Sequence, residues 1–217
     1  MTIVDLTHPL WDEMAVYPGL PQPSFPPIAR VADDGYAMTE YHLVNHIGTH
    51  IDAPAHQILD GATLDEIPLE RLVTHAVTID VSDLPRGAVG RDVLEPRASA
   101  VQRGDFVFLY ADNAKNYGDD AYWTGWVFPD ADAARMLIDL GISGIGFDGP
   151  SCDPVDTTTF DLHRVWLGAG RLILENLTNL GELPERCRVV VAPIKVRDSN
   201  GGPTRVFALL DPQQEEA

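Results

Sequence analysis

Cysteine is scarce: the 217-residue chain has two, Cys152 and Cys187, far apart in sequence. A disulfide framework is not expected from them, and two ordinary thiols suit a reducing compartment. Basic residues are scarce as well. Fifteen lysines and arginines stand against thirty-three acidic residues, a formal charge of -18, and a field of that sign repels phosphate backbones and anionic lipid headgroups. Nucleic acid and membrane surfaces are not expected partners. No apolar run approaches the ~20 residues of a membrane span. The start, MTIVDLTHPLWDEM, has neither the basic opening nor the unbroken apolar stretch of a secretory signal, so a cytoplasmic location is expected. Repeats, low-complexity tracts and Ser/Gly linkers are absent too. With nothing to divide it, the chain is expected to form one compact domain over residues 1–217. Two catalytic devices are also missing. Ser151, in GPSCD, lacks the G-x-S-x-G elbow, and no glycine-rich phosphate loop is present; neither a serine triad nor a nucleotide cofactor is implied.

What the chain does have is punctuation, with seventeen prolines and eighteen glycines among short apolar segments. The segments VTIDV (77–81), DFVFLY (105–110), GIGF (144–147), RLILE (171–175), VVVAP (189–193) and RVFALL (205–210) are predicted strands. Several are apolar on both faces, which places them in a buried sheet. Helices are expected over 64–73 and over 130–141, the latter opening on acidic residues and stopping at Gly141. The fold class is α/β, with more strand than helix. The proline-rich stretch at about 15–30 is expected to be an extended arm without regular structure, of the sort that crosses onto a neighbouring subunit.

Three of the seven histidines fall in one eleven-residue segment, HIGTHIDAPAH at 46–56. Histidine and aspartate cost free energy to bury unless something pairs with them. Gly48 and Pro54 disfavour a helix here, and on a helix His50 and Asp52 would point apart. In an extended strand, positions 46, 48, 50 and 52 share a face. Fully extended, the Cα atoms of His46 and His50 would lie about 13 Å apart, so a bend at Gly48 is expected if both imidazoles serve one ion. Two imidazoles and a carboxylate suit zinc or manganese and leave a position open for water. A lone strand histidine is more often a hydrogen-bonded core or surface residue, and Asp-Ala-Pro alone is a common turn; it is their combination with His56 that favours a metal. His8, His42 and His75 have no partner at ligand spacing and are expected to be structural or surface residues.

The pattern H-x-G-T-H-x-D-A-P-x-H resembles the motif of the metal-dependent cyclase family, which includes bacterial kynurenine formamidases, isatin hydrolases and a dienelactone hydrolase branch. The resemblance runs through DLTHPL and YPG near the N-terminus, DGATLDEIPLERLV, GDFVFLYADNAKNYG, IGFDGPSCDP, HRVWLGAGRLILENLTNLGELP and APIKVRDSNGGPTRVFAL. It implies a compact α/β domain of the swivelling β/β/α type with a buried, barrel-like sheet, in a homodimer or homotetramer. It also implies that His46, His50 and Asp52 bind one ion. In binuclear members the aspartate bridges to a second ion held by a later histidine and a glutamate twelve residues on, positions matched by His163 and Glu175. His56 corresponds to the catalytic acid/base. Tyr17 stands where kynurenine formamidases typically carry a substrate-stacking tryptophan.

The implied chemistry is hydrolysis. A divalent ion can lower the pKa of water from 15.7 to about 7 and polarise a carbonyl, and a histidine can protonate the leaving atom. One or two ions, zinc or manganese, are expected per subunit. The expected substrate is a small carbonyl compound, aromatic or cyclic, cleaved at an amide bond as in a formamide or isatin. A lactone or ester hydrolase with the same site is an alternative. A non-catalytic metal-binding or small-ligand module is another, although such a module has no need of His56. Trp123, Trp126 and Phe128 suit either a second aromatic wall or the core.

Overall fold

A computed structural model describes residues 1–210. Twelve strands occur in chain order: β1 Thr2–Asp5, β2 Pro27–Ala29, β3 Met38–Thr39, β4 His50–Asp52, β5 Val73–Asp80, β6 Gly87–Val89, β7 Phe106–Tyr110, β8 Val127–Pro129, β9 Gly144–Phe147, β10 Leu172–Glu175, β11 Arg186–Pro193 and β12 Gly201–Leu210. The α-helices are α1 Val31–Asp34, α2 Arg91–Leu94, α3 Ala131–Asp139 and α4 Asp161–Gly168. Strand outnumbers helix, as the apolar runs predict, and each of the six predicted strands is present.

The main sheet runs β12, β11, β5, β7, β9, β10, β4 and closes through β4 back onto β12. Strands β5, β7, β9 and β10 run parallel to one another, whereas β4 and β11 pair antiparallel on both sides. Closure rests on the length of β12: its first residues pair with β4 and its last with β1, along the same edge. The result is a barrel-like sheet without a free edge where β4 and β12 meet.

Alternation along the strands divides the core in two. Phe106, Phe108, Leu172, Leu174 and Ile51 face inward, with Val189, Val191, Val206 and Ala208. Val107, Leu109, Ile145, Phe147 and Ile173 face outward, where α3 and α4 cover them with Ala133, Leu137, Trp166 and Leu167. Since Ile51 points inward, His50 and Asp52 point outward. Glu175 does the same beside Leu174. Register makes Glu175 the partner of His50 and Ile173 the partner of Asp52, so these carboxylates and this imidazole project from adjacent strands toward α4.

Two expectations need correction. The segment 64–73 is not one helix but two 3₁₀ turns, Leu64–Glu66 and Leu69–Arg71. Pro68, between them, has no N–H to give and restricts Ile67 before it, and the chain must be extended by Val73 to enter β5. The apolar periodicity is satisfied all the same: Leu64, Ile67 and Leu72 plug the barrel interior. The proline-rich stretch, expected to lack regular structure, contains β2, which pairs with β3, and Ser24 bridges His42 in the same hairpin. Proline is tolerated because these are edge positions. The helix expected over 130–141 is α3. Its start is capped by Asp130, which accepts from the backbone N–H groups of Asp132 and Ala133.

Candidate metal centre

The opening of the site is a turn. Gly48 adopts φ +56, and a Cβ there would lie 2.5 Å from Leu10 Cδ2, so the expected bend occupies a conformation and a space that suit glycine. The bend ends the extended path early: of residues 46–52, only His50–Asp52 form a strand. Asn176 fastens the turn from β10's end, its Nδ2 donating to the Gly48 carbonyl, and Tyr122 in turn donates to Asn176 Oδ1. Helix α4 brings the fourth group. Asp153 accepts from the N–H groups of Leu162 and His163 at its first turn, and His163 is thereby delivered to the outer face of β4 and β10.

Five side chains meet there. His50 Nε2 lies 3.5 Å from Asp52 Oδ1 and 3.4 Å from Glu175 Oε2. His163 Nε2 lies 3.6 Å from Asp52 Oδ2 and 3.4 Å from Glu175 Oε1. His46 Nδ1 is 2.7 Å from Asp52 Oδ1. All but the half-buried His46 are buried. His56, on the 3₁₀ turn Pro54–His56, stacks its ring 3.9 Å from that of His46 and 5.8 Å from that of His163.

The far nitrogen of each imidazole is committed to an acceptor. His50 Nδ1 donates to the Gly48 carbonyl at 2.9 Å, His46 Nε2 to Asn200 Oδ1 at 2.9 Å, and His163 Nδ1 to Asp153 Oδ2 at 2.6 Å. In the neutral rings this leaves three nitrogen lone pairs aimed at carboxylate lone pairs. Asp52 Oδ2 and Glu175 Oε1 have no hydrogen-bond partner at all. Lone pairs set face to face in a buried site require positive charge between them. Protons are one source: although burial alone would lower His50, hydrogen bonding to Glu175 and the charges of Asp52 and Glu175 raise it to about 9. Burial likewise opposes, and neighbouring Cys152, Asp153 and Asp52 overcome, a rise at His163. Burial would raise Asp52, but the adjacent His163 and the hydrogen-bonded His46 hold it well below the carboxylate range. A divalent cation is the other source, and the imidazole and carboxylate donors fit one.

The sequence grouping placed His46 with His50. In the structure His50 groups with Asp52 and Glu175, while His46 groups with Asp52 and His56, the potential donor atoms in each group lying within 4.8 Å of one another. The second group takes in His56, and neither takes in His163, whose potential donor atoms group instead with Cys152 and Asp153; His46 and His50 fall into different groups because Gly48 turns the chain between them. Asp52 belongs to both groups.

The cluster forms the floor of a cavity of about 250 Å³. Tyr17 and Trp123 close one side in an edge-to-face contact at 6.0 Å, and Tyr117 and Phe160 line it as well. Of the three aromatic residues at 123–128, only Trp123 reaches the cavity; Trp126 and Phe128 pack in the outer core. His42 and His75 are exposed, and His8 stacks on Tyr117 at 3.8 Å. Sequence reasoning missed Asp153, Asn200 and Asn176. All three lie in segments that resemble the family, DGPSCDP, LEN and RDSNGG, and that resemblance was the one signal that could have found them.

With this geometry, likeness to known proteins is informative. The model of the family described as putative cyclase matches residues 4–154. The chain belongs to the putative cyclase family. This cyclase-family chain is 27% identical over 208 residues to a kynurenine formamidase of Salinibacter ruber, covering 94% of itself and 96% of the relative. Isatin hydrolase A from Labrenzia aggregata, solved with benzyl benzoate, superposes at a TM-score of 0.86 with 26% identity, over 95% and 93% of the two chains. A potential metal-dependent hydrolase with cyclase activity superposes at 0.80 with 30% identity, over 95% of this chain and 96% of that one. No helix among the described residues is long and apolar enough to cross a membrane.

Proposed function

We propose that this protein is a metal-dependent hydrolase that cleaves a non-peptide carbon–nitrogen amide bond in a small aromatic or cyclic carbonyl compound. The observation that carries the reading is the face-to-face arrangement of imidazole and carboxylate lone pairs at the floor of a cavity with aromatic walls. The kynurenine formamidase and isatin hydrolase names of the relatives support the bond type.

His46, His50, Asp52, His163 and Glu175 would hold one or two divalent ions, zinc or manganese, with Asp52 shared. When bound, such an ion acidifies water and polarises a carbonyl oxygen. His56 stands beside the cluster and not between the carboxylates. Burial, opposed by Asp52, depresses its pKa, so its ring is unprotonated at neutral pH. It can therefore take a proton from the attacking water and pass it to the leaving nitrogen. Tyr17 and Trp123 present ring edges and faces to a flat substrate.

The same reading includes a homodimer. Residues 31–42, which carry α1 and β3, are all exposed, with Val31, Tyr36, Met38 and Tyr41 uncovered; an isolated hairpin of this kind is marginal in water. Its Asp33, Asp34 and Glu40 complement Lys195 and Arg197, which flank exposed Val196 beyond β11. A second copy supplies both surfaces. Buried free thiols at Cys152 and Cys187 support a cytoplasmic location.

The test is turnover of N-formylkynurenine, isatin and simple lactones by metal-loaded protein, with chelator-treated protein beside it. Metal-dependent release of formate or opening of isatin is expected. Turnover of lactones alone would move the assignment to ester chemistry, and no turnover with metal bound would favour a binding module.

A further inference from the structure

The segment DGPSCDP carries, one residue before its closing proline, a carboxylate that touches the cluster from behind. Asp153 is buried. Its Oδ1 accepts from the Leu162 N–H at 2.9 Å, and its Oδ2 accepts from the His163 N–H at 3.0 Å and from His163 Nδ1 at 2.6 Å. The residue is itself held in place. Its own N–H donates to Ser151 Oγ, and its carbonyl accepts from the indole Nε1 of Trp126.

We propose that Asp153 is a positioning residue of the metal centre: one carboxylate caps α4 and receives Nδ1–H of His163, so that Nε2 is presented to Asp52 and Glu175. This rests on the reading of the cluster as a metal centre. The chemistry requires a carboxylate and not its amide. Three N–H donors converge on two oxygens, with the Cys152 thiol a weaker fourth at 3.9 Å from Oδ2, and an asparagine would set its NH₂ against either the Leu162 N–H or both the N–H and the ring of His163. One orientation loses the cap and the other favours the ring tautomer that turns a proton toward the cluster. Cys152 Sγ, 3.2 Å from the same Nδ1, does not replace it, because a neutral thiol is a weak acceptor. Outer partners of this kind typically change metal affinity about 10–100-fold.

The experiment measures zinc affinity by competition with a chromophoric chelator, and the His163 ring protons by ¹H–¹⁵N NMR, in wild type, Asp153→Asn, Asp153→Ser and Asp161→Ala. Asp161 lies in the first turn of α4, is exposed, and bonds to Thr159 and Arg164, so its variant reports the stability of the helix start. The expected results are a loss of zinc affinity of about 10–100-fold in both Asp153 variants, and disappearance of a downfield Nδ1–H resonance that wild type shows with and without zinc. Asp161→Ala should match wild type. Asp153 variants that keep wild-type affinity and the resonance would overturn the proposal, as would an equal loss in Asp161→Ala. The resonance is read on metal-free protein too, so it tests Asp153 independently. Failure of wild type to take up zinc would overturn the functional reading instead.

Discussion

A histidine offers a lone pair in a chosen direction only if its other nitrogen is occupied. Gly48 O, Asn200 and Asp153 occupy those positions for His50, His46 and His163, and His56 has no such commitment to the cluster. His56→Ala is therefore expected to lower kcat by about 10²–10⁴-fold while elemental analysis shows full metal content. Parallel loss of metal would make His56 a ligand. His8 provides a different test. Burial lowers its pKa to about 4 from 6.5, so the folded state binds fewer protons than the unfolded chain between those values. Its contribution is complete above pH 6.5 and disappears as pH falls through 4, about 1 kcal/mol after solvent screening at this half-buried ring. His8→Phe, which keeps the stack on Tyr117, should show a shallower fall in Tm between pH 7 and 4.5 than wild type. At this scale the sequence is legible where chemistry is periodic or paired. His46, His50 and Asp52 share a strand-like spacing, and His163 with Glu175 stands out only through the family spacing. Asp153 and Asn200 reach the site by tertiary folding from loops, and no local pattern announces them.

Elements place those residues by what they exclude. Gly201 opens β12 where a Cβ would meet His46 Cε1 at 2.6 Å and the Ile51 carbonyl at 2.7 Å; a side chain there would part β12 from β4 and push His46 out of line with Asp52. Gly201→Ala should cost about 1–3 kcal/mol, about 2–4 °C in Tm per kcal/mol for a chain of this size, and should weaken metal binding. An unchanged Tm and affinity would show that the strands accommodate the methyl group. The central strands were readable because burial on both faces makes them continuously apolar. The start of β12, GGPT, was not, because its glycines answer to close packing and not to strand propensity. The 64–73 segment misled for a related reason: its helical periodicity reflects inward-facing Leu64, Ile67 and Leu72, which two short turns around Pro68 satisfy equally well.

The whole molecule carries an excess of acidic side chains around a floor that is itself anionic. A field of that sign favours cation uptake. The hairpin at 24–42 is where the chain alone looks incomplete. Replacing Val31 and Met38 together by Asp puts two charges on its apolar face. The change should weaken the proposed dimer by at least about 100-fold, since each apolar side chain that the dimer would bury contributes about 1.5–3 kcal/mol. Sedimentation velocity at micromolar concentration should then show monomer, and an unchanged mass would mean that the hairpin is not the contact. Composition could indicate an arm but not the surface proposed for it, because Lys195, Val196 and Arg197 lie far from it in sequence.

The most direct measurement is the divalent metal content per chain of protein purified without chelator, by elemental analysis, for wild type beside Asp52→Ala. Asp52 touches His46, His50 and His163 at once, so the account predicts one or two ions in wild type and almost none in the variant. Equal metal content in the two proteins, or none in wild type after incubation with zinc and manganese, would contradict it.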